Sequence, residues 1–251
     1  STALAEPAAS SRTASQYQLS ATDAPPALVD NVETLANVTF ILAQGVDAFR
    51  SLGTSESPGT VVCTVSGAVV EPGVAEVEMG TTLAEVIDEI GGGALPEHRI
   101  VAALPGVSGA MIVADAFDVA LTYEAMAEIG SGLGSAGFLV FDDHDDLVAV
   151  AAGVSRFLYV ESCGQCTPCR EGSAWLFRIL DRVVTGEATM DEVDRLHEIA
   201  SDIMGNTICA FGEGTAMPAL GYLKKFRKEF EAYVRGESKG ANAKLVVESW
   251  G

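Results

Sequence analysis

Four of the five cysteines in this 251-residue chain stand in a pattern that restricts how its C-terminal part can fold. Three lie in the segment ESCGQCTPC with two residues between neighbours, and the fourth lies 40 positions later in NTICAFG. The set is Cys163, Cys166, Cys169 and Cys209. A [4Fe-4S] cluster needs four thiolates, and two-residue gaps let one loop supply three of them. The spacing therefore predicts an iron–sulfur cluster at the place where the fold brings the fourth thiol to the loop.

Two other uses of these thiols stay open. Structural zinc also takes four cysteines, although usually as two separated C-x2-C pairs, and buried or unligated thiols are the remaining possibility. Disulfides are not expected, because three cysteines so close in sequence find poor bridging geometry locally. Thiolate ligation indicates a reducing compartment, and hence a cytoplasmic protein. Cys63, in a strand-like run, is predicted to be an ordinary core cysteine.

Charge and hydropathy exclude two classes of partner. The chain has 15 Lys and Arg against 35 Asp and Glu, and phosphate binding needs a cationic face, so nucleic acid is not an expected partner. The longest apolar run, Leu147 to Val154, is far shorter than the roughly 18 residues of a membrane span.

The acidic charge is concentrated in the first part of the chain. Residues 1–150 hold three of the cations and 21 of the acids, which indicates either a solvated acidic surface or a face for a basic partner subunit.

Local patterns predict an α+β fold class, with a small β-rich domain followed by a helical bundle that carries the cluster. The Ala-, Ser- and Pro-rich start lacks periodicity, so a disordered or draped arm is expected there. Thr82 with Glu85 and Thr189 with Glu192 match capping boxes, whereas periodicity does not decide between strand and helix for Leu147–Val154.

The predicted segments are an arm (1–28), a helical linker (29–58), a small α+β domain (59–115), connecting strands and a turn (116–150), a bundle (151–236) and a tail (237–251).

No site is expected at the histidines. His98, His144 and His197 are far apart in sequence, and no Ser–His–Asp arrangement can be argued from them. The segment DDHDD at residues 142–146 does not match a calcium loop, which places its ligands at alternate positions and ends on a glutamate. It is predicted to be a solvated turn.

The flanking residues carry a specific family resemblance. ESCGQCTPCREG followed by TICAFGE resembles the flavoprotein subunit of respiratory complex I, a module also found in diaphorase subunits of NAD-linked hydrogenases and formate dehydrogenases. LVDNVETLANV and SPGTVVCTVSGAVVEPGVAEVEMGTTLAEVI are similar to the family's flavin-contacting segment and to its β-grasp domain. The resemblance covers roughly residues 25–236. It implies a β-grasp-like domain at 59–115 and one [4Fe-4S] cluster on the four matching cysteines.

The resemblance also suggests weaker flavin-proximal positions. They are Val29, Asn31 and Thr34 in the first segment, and Ala210 and Phe211 directly after the last cysteine. The family's glycine-rich FMN loop and NADH-stacking aromatic residues have no counterpart before residue 28, so the chain resembles the second half of such a subunit. A fragment, a split gene product and a relative without the flavin domain all fit, and residues 29–58 would then be a remnant or linker of that domain.

These inferences favour a role as an electron relay. The expected cofactor is a [4Fe-4S] cluster, with FMN only where another domain supplies it, and the expected partners are iron–sulfur or flavin subunits of an NAD-linked oxidoreductase complex. The protein would be cytoplasmic and peripheral to that complex. The chain alone is not expected to oxidise NADH, and no catalytic residue is assigned. The alternative is an interaction module whose cysteines hold zinc or a non-redox cluster.

Overall fold

The computed structural model describes residue 28 and residues 30–237. The predicted arm, except for residue 28, and nearly all of the predicted tail therefore lie outside the described residues, as does the flavin-proximal candidate Val29. The described part begins with two exposed helices, α1 (Val32–Gln44) and α2 (Val46–Arg50), neither of which contains a buried residue. No helix in this part of the chain is long and apolar enough to cross a membrane.

A five-stranded mixed sheet follows, with the strand order β2-β1-β5-β3-β4. The strands are β1 (Thr60–Gly67), β2 (Gly73–Glu78), β3 (Ile100–Pro105), β4 (Ile112–Val113) and β5 (Gly137–Asp142). β1 and β2 form an antiparallel pair, β1 and β5 are parallel, and β3 is antiparallel to both β5 and β4. Helix α3 (Leu83–Gly91) lies between β2 and β3 in sequence, and its N-terminus has the predicted capping box of Thr82 and Glu85. This is a β-grasp-like arrangement.

The strand β5 lies in the middle of the sheet, between β1 and β3. It falls within residues 116–150, to which the sequence pattern assigned connecting strands and a turn, and it joins the two sides of the sheet. Gly67 at the end of β1 shows how closely the chains approach, since its φ is +93° and a Cβ there would lie 2.2 Å from the carbonyl oxygen of Val140. A 3-10 turn (Ala114–Ala116) precedes most of this segment, which also contains helix α4 (Tyr123–Glu128).

The sheet separates two hydrophobic cores. Side chains of a strand alternate between its faces, and Ala102 and Leu104 on β3 accordingly join the core shared with the bundle, whereas Ala103 joins the core under α3. On β5, Phe138 and Val140 face α3. Both faces of the central strands are therefore covered, and the sheet and the bundle share one of the cores.

Four helices form the bundle: α5 (Leu147–Glu161), α6 (Thr167–Val184), α7 (Met190–Ile203) and α8 (Ala210–Val234). The ambiguous apolar run 147–154 is the start of α5, and its residues are buried nearly all round because the sheet lies on one side and α6 and α8 on the other. Helix α8 contains Pro218 and is interrupted at Phe226, whose φ of −126° and ψ of 26° are not helical.

Replacing Thr189 by alanine is expected to lower the free energy of unfolding by about 1 kcal/mol, because it removes the N-cap of α7. The Thr189 hydroxyl accepts the Glu192 N–H at 3.3 Å, and the Glu192 carboxylate accepts the Thr189 N–H at 2.8 Å. Chemical denaturation followed by circular dichroism measures the loss. Thr189→Ser keeps an accepting hydroxyl and is the control, so equal losses in the two variants would contradict this role.

Candidate metal centre

The four C-terminal cysteines are positioned by three elements of the bundle. Cys163 lies in the short loop after α5, Cys166 is the N-cap of α6, and Cys169 lies in the first turn of α6. Cys209 is the N-cap of α8. Helix α6 begins at Thr167 with Pro168 in its first turn, a position where the missing N–H of proline costs no hydrogen bond.

Two helices begin directly after cysteines that would bind the cluster. Neither Cys166 nor Cys209 forms a side-chain capping hydrogen bond, so the first backbone N–H groups of α6 and α8 have no partner from the capping residue. The N-terminus of a helix carries partial positive charge and favours a nearby anion. Four thiolates around iron and sulfide form an anionic group, and the electrostatics of the site therefore fit such a group.

Hydrogen-bond donors already reach two of the sulfur atoms. The backbone N–H of Ile208 donates to Cys166 Sγ at 3.4 Å, and Ser162 Oγ lies 3.4 Å from Cys169 Sγ. The Ser162 hydroxyl oxygen also accepts the N–H of Gly164 at 3.3 Å, which leaves its own hydrogen free to point at sulfur. Gly164 has a φ of +74°, so a glycine suits this turn of the loop.

The thiols differ in their exposure. Cys169 is 6% exposed and packs against the bundle, whereas Cys163 and Cys209 are exposed and Cys166 is intermediate. Burial raises the pKa of the Cys169 thiol, the Ser162 hydrogen bond opposes this, and the charges of the other three thiolates add to the increase. The N–H of Ile208, the residue before Cys209, lies 3.4 Å from Cys166 Sγ, so the start of α8 lies beside the loop that carries the other cysteines.

The remaining cysteine takes no part in this site. Cys63 lies in β1 with no exposed surface, as expected for an ordinary core cysteine. Burial, and to a lesser extent the nearby Glu33 carboxylate, raises the pKa of its thiol to about 11. A thiol that stays protonated near neutral pH is a poor metal ligand.

The flavin-proximal candidates lie on two separate elements. Asn31 and Thr34 are exposed near the start of α1, where the Asn31 side chain accepts the N–H of Glu33 at 2.8 Å and so serves as the helix N-cap. Helix α1 is held to the sheet by Glu33, whose carboxylate accepts the N–H of Val62 at 2.8 Å. Ala210 and Phe211 begin α8, with Ala210 exposed and Phe211 packed partly against the bundle core.

Two histidines lie in contact, which the sequence patterns did not predict. His98 precedes β3 and His144 follows β5, and their ring centroids lie only 4.2 Å apart. The expectation that they are isolated is wrong, because the antiparallel pairing of β3 with β5 brings the two positions to the same end of the sheet. The turn is also not wholly solvated, since Asp142 is 5% exposed. His98 and Asp142, which are hydrogen-bonded, lie 44 positions apart in sequence, so no local pattern reveals this contact.

Two family models match this chain. The NADH-ubiquinone oxidoreductase-F iron-sulfur binding region matches residues 149–233, which include all four cysteines, and the SLBB domain matches residues 62–115. The chain is 41% identical over 212 residues to the second F-type subunit of NADH-quinone oxidoreductase in Rhizobium meliloti (strain 1021), covering 84% of this chain and 50% of the relative. It is 40% identical over 212 residues to the corresponding F-type subunit of Streptomyces coelicolor, covering 84% of this chain and 47% of that relative.

Solved structures agree with this similarity. The NAD+-reducing [NiFe]-hydrogenase in its H2-reduced state matches with a TM-score of 0.75 and 31% identity, over 84% of this chain and 36% of that chain. Its air-oxidised state matches with a TM-score of 0.76 and 29% identity, over 90% of this chain and 39% of that chain. The resemblance inferred from the cysteine motif is confirmed, and the chain spans about half the length of the curated relatives it matches.

Proposed function

We propose that this chain relays single electrons through one [4Fe-4S] cluster, as its similarity to F-type subunits of NADH-quinone oxidoreductase suggests. The electrons would come from a reduced flavin and pass to an iron–sulfur partner protein. When bound, such a cluster accepts and releases one electron at a time. We propose Cys163, Cys166, Cys169 and Cys209 as its ligands.

One observation carries this proposal: two helices begin at cysteines of the same site. The N-termini of α6 and α8 place partial positive charge there, and the Ile208 N–H and the Ser162 hydroxyl lie next to sulfur. Such groups stabilise additional negative charge, which is the change that reduction brings. A site that only holds a structural ion undergoes no such change in charge, so these groups would stabilise it less.

The spacing of the cysteines favours a polynuclear cluster over one zinc ion. Structural zinc usually takes two separated C-x2-C pairs. Here three cysteines lie in one short segment and the fourth lies 40 positions later, a pattern that suits the corners of a [4Fe-4S] cluster.

The exposed side of the site is the side on which we place electron exchange. Cys163 and Cys209 are exposed, and the neighbouring Ile208 is 82% exposed. An apolar side chain so exposed next to a redox group suits a surface that a partner covers. Because the ligands are thiolates, we also propose a reducing compartment, the cytoplasm, as the place where the chain works.

Anaerobic purification of the chain tests this function. We expect brown protein with about four iron and four sulfide per chain, whose visible absorption bleaches with dithionite and whose reduced form gives an EPR signal. Chemically reduced free FMN should reduce the centre, whereas NADH alone should leave it oxidised. A colourless protein with one bound zinc would contradict the relay and favour the interaction module. Dye reduction by NADH with the chain alone would contradict the absence of NADH oxidation.

Replacing Ser162 by alanine is expected to make the reduction potential of the centre more negative by about 20–60 mV. The change removes one hydrogen-bond donor to Cys169, and a net hydrogen-bond free energy near 1 kcal/mol converts to a shift of this size for one electron. EPR-monitored redox titration measures it. Ser201→Ala, at an exposed position of helix α7, is the control. An unchanged potential with intact iron content would show that the Ser162 hydroxyl does not act on the cluster.

A further inference from the structure

A second group of metal-ligand side chains lies at the end of the sheet, apart from the cysteine site. His98, Asp142, Asp143 and His144 each offer one nitrogen or oxygen atom, and these atoms all lie within 4.8 Å of one another. Among residues 28 and 30–237, this is the group of histidine, cysteine and acidic side chains that meets that distance.

The fold builds this group from two segments. In the β3–β5 pair Ile100 lies opposite Asp142, so the residues before β3 and those after β5 share one end of the sheet. Beyond the ladder, the Arg99 carbonyl accepts the Asp143 N–H at 3.0 Å, and the Arg99 N–H donates to the Asp143 carboxylate at 3.1 Å. These bonds fix His98 beside the turn that carries the other three side chains.

The carboxylates are also held in place. The side chain of Asp142 is 6% exposed, and its Oδ1 accepts the backbone N–H of His144 at 2.8 Å. Its backbone N–H donates to the Asp145 carboxylate at 2.9 Å. Hydrogen bonds of this kind orient metal ligands in known sites, where they hold the carboxylate toward the ion.

One hydrogen-bonded pair accounts for only half of the group. His98 Nδ1 lies 2.5 Å from Asp142 Oδ2, which joins two of the four side chains. That pair explains neither the His144 ring, 4.2 Å from the His98 ring, nor the 3.3 Å from His144 Nδ1 to Asp143 Oδ1. All four side chains therefore turn their nitrogen or oxygen atoms toward one point.

We propose that His98, Asp142, Asp143 and His144 bind one divalent transition-metal ion, with zinc as the expected occupant. Two imidazole nitrogens and two carboxylate oxygens form a four-ligand set of the type zinc accepts in tetrahedral geometry. Imidazole also disfavours calcium and magnesium, which prefer oxygen ligands throughout. The ion would bridge the start of β3 to the turn before α5, whose first N–H groups are capped by Asp146.

Isothermal titration of the cluster-loaded chain with Zn²⁺ under anaerobic conditions tests the proposal. Loading keeps the four thiols of the other site occupied. We expect one zinc per chain, with affinity reduced by more than about 100-fold in His98→Asn and in His144→Asn, because loss of a ligand costs more than the 10- to 100-fold loss caused by removing an outer partner of a ligand. The matched control is His197→Asn, since His197 is the third histidine of the chain and is exposed on helix α7. Its variant should bind zinc like the unaltered protein.

A second readout does not depend on the cluster. Diethylpyrocarbonate modifies accessible imidazoles, and peptide mass spectrometry locates the modified residues. Zinc should protect His98 and His144 and leave His197 reactive. Equal zinc affinity in all three variants, or equal protection of all three histidines, would overturn the site. Displacement of zinc by equimolar Mg²⁺ would overturn the assignment to a histidine-ligated transition metal.

Discussion

Replacing Cys209 by serine is expected to lower the iron content of the purified chain from about four atoms to less than one. Serine keeps the size of the side chain but supplies no thiolate at neutral pH. Cys209 lies at the start of α8, whereas the other three ligands lie in the loop before α6 and in its first turn. That loop holds no further cysteine that could replace Cys209. Visible absorption and the EPR signal of the reduced protein should fall with the iron.

Cys63→Ala is the matched control for this experiment. It also removes one cysteine, but from β1, where the thiol is buried and its pKa is raised to about 11. Iron content should therefore stay near that of the unaltered chain. Far-UV circular dichroism of both variants checks that the helices persist. Unchanged iron in the Cys209 variant would contradict its role as a ligand.

Phe138→Ala should have the largest effect on stability, a loss of about 3–5 kcal/mol in the free energy of unfolding. Phe138 is 1% exposed on β5, the middle strand, and packs in the core beneath α3. Truncation removes apolar contacts and leaves a cavity that a strand paired on both sides cannot close. Urea denaturation of the cluster-loaded protein, followed by circular dichroism, measures the loss.

The next residue along the same strand provides the control. Leu139 points to the opposite face from Phe138 and is 38% exposed at its position on that face. Leu139→Ala should therefore cost less than about 1.5 kcal/mol, the low end of the range for large-to-small substitutions. Similar losses for the two variants would mean that burial in the core beneath α3 does not set the cost.

The sequence predicted well the features that depend on residues close together in the chain. Thr82 with Glu85 and Thr189 with Glu192 form capping boxes because each needs only residues three positions apart. The cysteine loop depends likewise on neighbours in sequence. The family resemblance added the β-grasp-like unit, and the strand order agrees with it.

Contacts between distant segments were beyond local reasoning. The run 147–154 gave no periodicity because α5 is buried on nearly every side, so no polar face marks the helical repeat. His98 and His144 meet only because β3 pairs with β5. The central place of β5 depends on the same pairings, which a one-dimensional hydropathy pattern does not encode.

The central position of β5 also sets the smallest portion of this chain that can be moved between proteins. The SLBB match ends at residue 115, but β5, which separates β1 from β3, begins only at Gly137. A gene fusion that carried residues 62–115 alone would leave two strand edges with unpaired N–H and C=O groups and both hydrophobic faces open. Recombination that preserves this sheet must therefore carry the chain through Asp142, the residue at which β5 ends and the turn toward the cluster-bearing helices begins.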